Sequence, residues 1–262
     1  IVLGEIHDAH GPLGLIVGLA GLGGVIVIHI IATWYSVRPP RLVQRRTELV
    51  LDPVRRALFG HEVSKQHYSR GDVSSYFRVN GRPPGEAEYV EMASEHFASY
   101  VLEVGGLVET SLHLTLTQLR AKPRHTQITK HCCIQGWSAV AEWSGVSLSE
   151  IIDMCRPLPS ARYVVFYAFD NKSTSEPDPA GPGYFYGTIS MELAKHPQTI
   201  LAYDMNGEPL PVPHGAPLRL RAETQLGFTM VKYIRAIQFV ADYSGIGEGQ
   251  GGWREDQQYY SQ

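Results

Sequence analysis

Cysteine is scarce in this chain. Cys132, Cys133 and Cys155 are the only three in 262 residues, too few and too unevenly placed for a disulfide framework, so a reducing compartment is the simpler expectation. A basic excess is also missing: 23 Lys and Arg against 26 Asp and Glu leave a net charge of −3. With nothing domain-wide to neutralise phosphates, nucleic acid is excluded as an expected partner. A third absence is local, for no charged residue lies between Asp8 and Arg38. Ile1 stands where a methionine begins most chains, which points to an N-terminus that is incomplete or processed.

The uncharged interval has the composition of a membrane span. Residues 12–37 are apolar or small throughout, long enough to cross a bilayer as a helix. Gly14 and Gly18 form a G-x-x-x-G pair in a run of small residues that admits a neighbouring helix. Trp34 and Tyr35 suit the interface, and Arg38, Arg41, Arg45 and Arg46 follow at once. The positive-inside tendency then puts the C-terminal part in the cytoplasm, with the periplasmic side as the alternative. A signal peptide is the rival reading, but its core is shorter and its basic residues come first. The expectation is a single-pass cell-membrane protein in contact with membrane lipid. It has an N-terminal flank over residues 1–11, a transmembrane helix over 12–37, a juxtamembrane linker over 38–75, a domain over 76–243 and a C-terminal tail over 244–262. His29, ionisable at membrane depth, is a candidate ligand for a haem b shared with a partner, together with His7 or His10; the alternative is a hydrogen bond to a partner helix.

Patterning beyond residue 100 predicts an α+β domain. Residues 100–104 read as a strand, Gly105-Gly106 as a turn and residues 107–109 as its return. Thr115 and Gln118 form a capping box for a short helix over 115–120, and Ser147 with Glu150 repeats the device. There Leu148, Ile151, Ile152 and Cys155 share one helical face, which makes Cys155 a core residue. Residues 163–169 read as a central strand, 170–183 as a polar loop, 200–210 as a strand running into a turn, and 211–221 as continuing into another strand. Residues 76–84 mix aromatics, an amide and two guanidinium groups: a surface for an anion or a polar heterocycle, or a solvated loop. The tail over 244–262 is rich in Gly, Gln and Tyr without periodicity, and is either disordered or docked on a neighbour.

Chemistry concentrates in residues 128–138, where Cys132 and Cys133 precede Gly136 and Trp137. Both thiols can be small packed hydrophobes, or one can serve as a soft metal ligand or redox nucleophile, a job that does not need the pair.

Several ordered motifs bear on that choice. Cys133-Ile134-Gln135-Gly136-Trp137-Ser138, Leu201-Ala202-Tyr203-Asp204-Met205-Asn206-Gly207-Glu208-Pro209-Leu210-Pro211, His214-Gly215-Ala216-Pro217-Leu218-Arg219 and Gly227-Phe228 to Lys232 together resemble the molybdopterin-binding domain of the sulfite oxidase family. That family includes bacterial protein-methionine-sulfoxide reductase catalytic subunits, and the resemblance covers roughly residues 76–243. It implies a sulfite-oxidase-like α+β fold and a molybdenum–molybdopterin cofactor with Cys133 as the metal's thiolate ligand. His131 and Cys132 are implied as neighbours that tune it. It further implies that His214 and Arg219 contact the pterin or its phosphate, that Lys232 and the backbone of Met230 and Val231 hold the phosphate, that Asn80 touches the cofactor, and that Tyr186 lines the metal pocket.

The chain departs from sulfite oxidases where substrate is held. Gln135, Gly136 and Trp137 stand where those enzymes place an asparagine and paired arginines, and Val79 stands where they place an arginine before Asn80. A pocket without those cations has less reason to prefer the sulfite dianion, whereas residues 203–211 and His214 look closer to sulfite oxidases. The expected function is oxygen-atom transfer on a small or S-/N-oxide-type substrate, with electrons exchanged through a membrane subunit, a cytochrome b or quinone-linked protein. The alternative is a non-catalytic structural or assembly subunit of a respiratory complex that keeps the fold.

Overall fold

Residues 2–36, 68–171 and 184–258 are described by the computed structural model of the chain, which divides into two units, Ile1–Leu58 and Phe59–Gln262. In the first, α1 (Val2–Ser36) runs through the uncharged interval. Among the described residues no helix is long and apolar enough to cross a membrane. This overturns the transmembrane helix expected over residues 12–37, and with it the single-pass cell-membrane location and the cytoplasmic placement. Gly18, Gly21, Gly23 and Gly24 add no side-chain apolar surface and His29 carries a polar ring, so the aliphatic residues between them are diluted. Arg38, Arg41, Arg45 and Arg46, which oriented the expected span, lie outside the described residues, as does most of the expected linker.

In the second unit α2 (Ala87–Ser94) leads into β1 (Val101–Gly106) and β2 (Leu112–Thr115), and α3 (Leu116–Arg120) precedes β3 (Arg124–Cys132) and β4 (Ser138–Ser147). Then come α4 (Leu148–Cys155), β5 (Tyr163–Asn171), β6 (Tyr184–Ser190) and α5 (Met191–Ala194). They are followed by β7 (Thr199–Met205), β8 (Glu208–Pro209), β9 (Arg219–Ala222), β10 (Ile234–Val240) and α6 (Trp253–Gln258). The strands form two sheets, one in the order β2-β1-β10-β5-β6 and one in the order β3-β4-β7-β8, with β9 also paired to β7. Only the β1–β10 pair is parallel among the described strands. Joining an early strand to the last one ties the two ends of the domain into one ladder, which accounts for the α+β class read from the pattern.

One apolar core draws on both sheets, with Leu102, Trp143, Phe166, Leu201 and Phe239 among its buried members. Strand β7 is buried along its whole length and carries apolar residues at the consecutive positions 200–203, whereas β9, equally buried, alternates Arg219 and Arg221 with Leu220 and Ala222. The Thr115 capping box forms: Gln118 N donates to Thr115 Oγ1 at 3.2 Å and Thr115 N to Gln118 Oε1 at 2.9 Å. At Ser147 the hydroxyl instead bonds the Ser149 hydroxyl at 2.7 Å, so that box does not close. Leu148, Ile151, Ile152 and Cys155 are nevertheless buried as one face of α4. The return expected at residues 107–109 is displaced: Val108 bridges Pro157, and the antiparallel partner of β1 is β2.

Candidate active site

Strand parity separates the two adjacent cysteines. Cys132 ends β3 opposite Ser138 and is exposed, whereas Cys133 is buried at 8% exposure. The chain then reverses: Gly136 N donates to the Cys133 carbonyl at 3.1 Å and Cys133 N to the Trp137 carbonyl at 2.9 Å. Gly136 sits at φ +81, a left-handed conformation that glycine adopts without a Cβ clash. The C-x-x-G-W spacing is therefore a tight turn that sets one thiol inward. Asn80 reaches it from a distant segment, its Nδ2 3.7 Å from Cys133 Sγ.

Around this turn a cavity of about 320 Å³ is lined by residues from separate parts of the chain, among them Phe77, Asn80, His131, Trp137, His214 and Met230. Its lining is cationic. Arg78, Arg82, Arg219, Lys232 and Arg254 face one acid, Asp170. Lys232 Nζ donates to the Asn80 carbonyl at 2.7 Å and the Pro213 carbonyl at 3.0 Å, and so knits the Asn80 segment to the His214 loop. Arg219 is 5% exposed, donates from Nη1 to the His214 carbonyl at 3.0 Å and lies with its Cζ 5.0 Å from the Trp143 ring centre. Burial, and next Arg221, push its pKa down to about 9. Its Nε is buried with no hydrogen-bond partner, and the indole Nε1 of Trp137 is in the same position.

Behind the cavity Arg221 is fully buried and donates from Nε and Nη2 to the two carboxylate oxygens of Glu223, at 3.0 and 2.8 Å. Its Nη1 is 3.0 Å from His131 Nδ1. A guanidinium only donates, so Nδ1 is the acceptor and the ring proton resides on Nε2. Burial first, then Arg219 and Arg221, push the His131 pKa down to about 2, so the ring is neutral. His214 is held down at about 4 by burial, then by Arg219 and Lys232.

Of the residues singled out from the sequence, Asn80, His214, Arg219, Met230 and Lys232 line the cavity; Cys133 is not on the lining itself but touches it through Asn80, whose Nδ2 is 3.7 Å from the sulfur. Val231 does not: it is 1% exposed, with its amide on the Thr229 carbonyl and its carbonyl accepting from Leu220 N. Tyr186 is also elsewhere. Along β6 it is Phe185 that lines the cavity, and Tyr186, one residue on, faces the opposite side, where its hydroxyl meets Asp256. Arg78 and Arg82 belong to the 76–84 stretch that had the look of an anion surface, and they restore charge to a pocket that lacks the paired arginines after Cys133. Trp253 and Arg254 carried no sequence signal for the site.

The donor set fits the implied cofactor. Among the described residues no group of three or more His, Cys, Asp or Glu could hold a metal ion, and a single buried thiol matches a metal whose other ligands come from the pterin dithiolene. The cationic lining and the orphaned Arg219 Nε suit the pterin phosphate.

Comparison with known proteins supports the same assignment. Residues 89–245 match the family described as the oxidoreductase molybdopterin binding domain. A putative protein-methionine-sulfoxide reductase subunit of Azospira oryzae is 37% identical over 162 residues, 62% of this chain and 55% of that protein. A protein-methionine-sulfoxide reductase catalytic subunit of Xanthomonas axonopodis pv. citri is 35% identical over 184 residues, 64% of this chain and 54% of that one. The chain thus spans about half the length of these curated relatives. The sulfane dehydrogenase SoxCD of Paracoccus pantotrophus shares the fold with a TM-score of 0.50 at 22% identity, over 63% of this chain and 41% of that one. With the family match covering more than half of the sequence and the thiol, cations and orphaned donors gathered at one cavity, this chain belongs to the family of the oxidoreductase molybdopterin-binding domain.

Proposed function

We propose that the chain is a molybdenum-dependent oxidoreductase that reduces an S-oxide to a thioether, with two electrons and two protons entering and water leaving. The observation that carries this reading is the pair of buried, unpartnered donors, Trp137 Nε1 and Arg219 Nε, beside a cavity at the inward thiol of Cys133. When bound, the molybdenum–molybdopterin group supplies a two-electron centre for moving an oxygen atom. Cys133 is its protein ligand, with the Asn80 amide directed at the sulfur. His214, Arg219, Lys232 and Met230 hold the pterin and its phosphate. His131, locked by Arg221 with its proton on Nε2, gives the cavity a donor that stays neutral. Trp137 offers its indole N–H to the substrate oxygen.

Gln135, Gly136 and Trp137, where sulfite oxidases carry an asparagine and paired arginines, leave the turn after Cys133 uncharged and suited to the single polar oxygen of an S-oxide, while the cations Arg78, Arg82 and Arg254 reach the lining from other segments. The relatives' printed names agree with an S-oxide and, since both are called subunits, with a second protein in the assembly. A haem b on His29 is not part of this proposal: that residue is exposed on α1, and the side chains of His7 and His10 lie outside the described residues.

The test is purification from a host that makes the cofactor, followed by metal and pterin analysis. Molybdenum is expected in the parent and in Cys132→Ser but not in Cys133→Ser. The reduced protein is then offered a panel of S-oxides and N-oxides, and the oxidised protein sulfite. Absence of molybdenum and pterin refutes the enzyme, and cofactor without turnover of any of these compounds favours the non-catalytic subunit.

A further inference from the structure

The family match ends at residue 245, yet Trp253 and Arg254 beyond it line the cavity. The Trp253 ring lies 5.8 Å from that of Phe185, and Trp253 also packs with Ile246 on the outer-face cluster of Val165, Tyr167 and Tyr186. Residues 244–258 therefore wrap around β6 and touch both of its faces. Gly187 and Tyr186 of β6 fasten them. Gly252 bridges Gly187. The Tyr186 hydroxyl donates to the Asp256 carboxylate and lies 3.0 Å from the Ile246 carbonyl oxygen. The other carboxylate oxygen of Asp256 accepts from Gln250 N at 3.1 Å.

This fastening has the marks of a built contact. Asp256 is only 5% exposed, and a buried carboxylate persists where hydrogen bonds replace its water. Burial, and then the bond to Asp256, hold the Tyr186 phenol well above its usual pKa, so it remains a donor. Gly247, at φ +56, passes so close that a side chain there would run into both Asp256 and Tyr186.

We propose that residues 244–258 form a substrate-selecting wall, latched by Tyr186, Asp256 and Gln250, that presents Trp253 and Arg254 to the part of the S-oxide remote from its oxygen. The inference rests on the S-oxide reading above. It assigns Tyr186 as a positioning residue and names the substrate class further: an S-oxide carrying an apolar chain for the indole and an anionic group for the guanidinium. N-acetylmethionine sulfoxide has both features and dimethyl sulfoxide has neither.

In the molybdenum-loaded full chain, Tyr186→Phe and Asp256→Ala are compared with Asp256→Asn, which keeps an acceptor oxygen for the phenol. Three quantities are read: the ratio of KM for N-acetylmethionine sulfoxide to KM for dimethyl sulfoxide, the rate of tryptic cleavage after Arg254, and molybdenum content. Tyr186→Phe and Asp256→Ala should raise the KM ratio about fivefold to tenfold, the net scale of one ordinary hydrogen bond acting on the fraction of closed wall. They should also speed cleavage after Arg254 while molybdenum stays at the parent's level, and Asp256→Asn, which keeps the acceptor for the phenol but loses the one for Gln250 N, should fall between the parent and Asp256→Ala in both effects. An unchanged ratio, an equal rise in both KM values, or loss of molybdenum overturns the selecting role. Cleavage does not depend on turnover: faster cut after Arg254 in a protein that reduces no S-oxide upholds the latch while the functional reading fails, and unchanged cleavage overturns the latch.

Discussion

Replacing Arg219 with Met should move stability and cofactor retention in opposite directions. The guanidinium is 5% exposed, its Nε has no partner, and Glu223 is committed to Arg221. Burying a charge costs several kcal/mol, and an orphaned donor adds about 1–3 kcal/mol. Against this stand the bond to the His214 carbonyl, about 0.5–1.5 kcal/mol, and the placement over Trp143, about 0.5–2 kcal/mol. The balance favours Met in the cofactor-free protein by about 1–3 kcal/mol, which at about 2–4 °C per kcal/mol is a rise of roughly 2–12 °C in melting midpoint. Calorimetry on protein from a host that cannot make the pterin measures it, and metal analysis of the same variant from a competent host should find molybdenum lost. A lower midpoint in the cofactor-free variant, or molybdenum retained at the parent's level, refutes the idea that Arg219 is held in a costly state for an anion.

The remaining predictions concern the groups around it. Glu223→Gln leaves Arg221 buried without its counter-charge, the two side chains being 2% and 0% exposed; urea denaturation should show a loss of about 3–5 kcal/mol, and a loss under about 1 kcal/mol would count against the cluster as described. His214 is lowered from an ordinary 6.5 to about 4, so between those values the unfolded chain binds a proton that the native chain does not, and stability falls as pH drops through that window. His214→Gln should flatten this part of the acid limb in melts taken at several pH values, and an unchanged slope would mean the ring is not held neutral.

The fold was legible where one face of an element is apolar. Leu148, Ile151, Ile152 and Cys155 mark the buried side of α4, and the aromatic and β-branched density of β5 marks an interior strand. The inward thiol was legible only through its motif, since neighbouring cysteines look alike until the strand's end fixes which one turns in. Tyr186 lies off the cavity for a reason of parity. Tyr184, Phe185 and Tyr186 are all aromatic, so composition along β6 carries no alternation to tell the two faces apart. The C-terminal segment was silent because glycines and a buried carboxylate fasten it, and neither produces a hydrophobic period. The N-terminal run misled by length and lack of charge, which do not weigh the glycines and the histidine inside it. The charge of the cavity as a whole was not legible from the residues after Cys133, because Arg78, Arg82 and Arg254 reach it from segments that sequence order does not place there.

The bridge between Gly187 and Gly252 has a consequence for how the molecule meets its own copies. Strand β6 is the last in its sheet, with β5 on one side only, and a terminal strand offers unpaired amides and carbonyls as a template for another chain. The segment that passes over it at Gly187 occupies that margin. A version shortened to residue 245 would keep every strand and the inward thiol yet bare this margin, and self-association through β6 would then compete with solubility before any chemistry was measured.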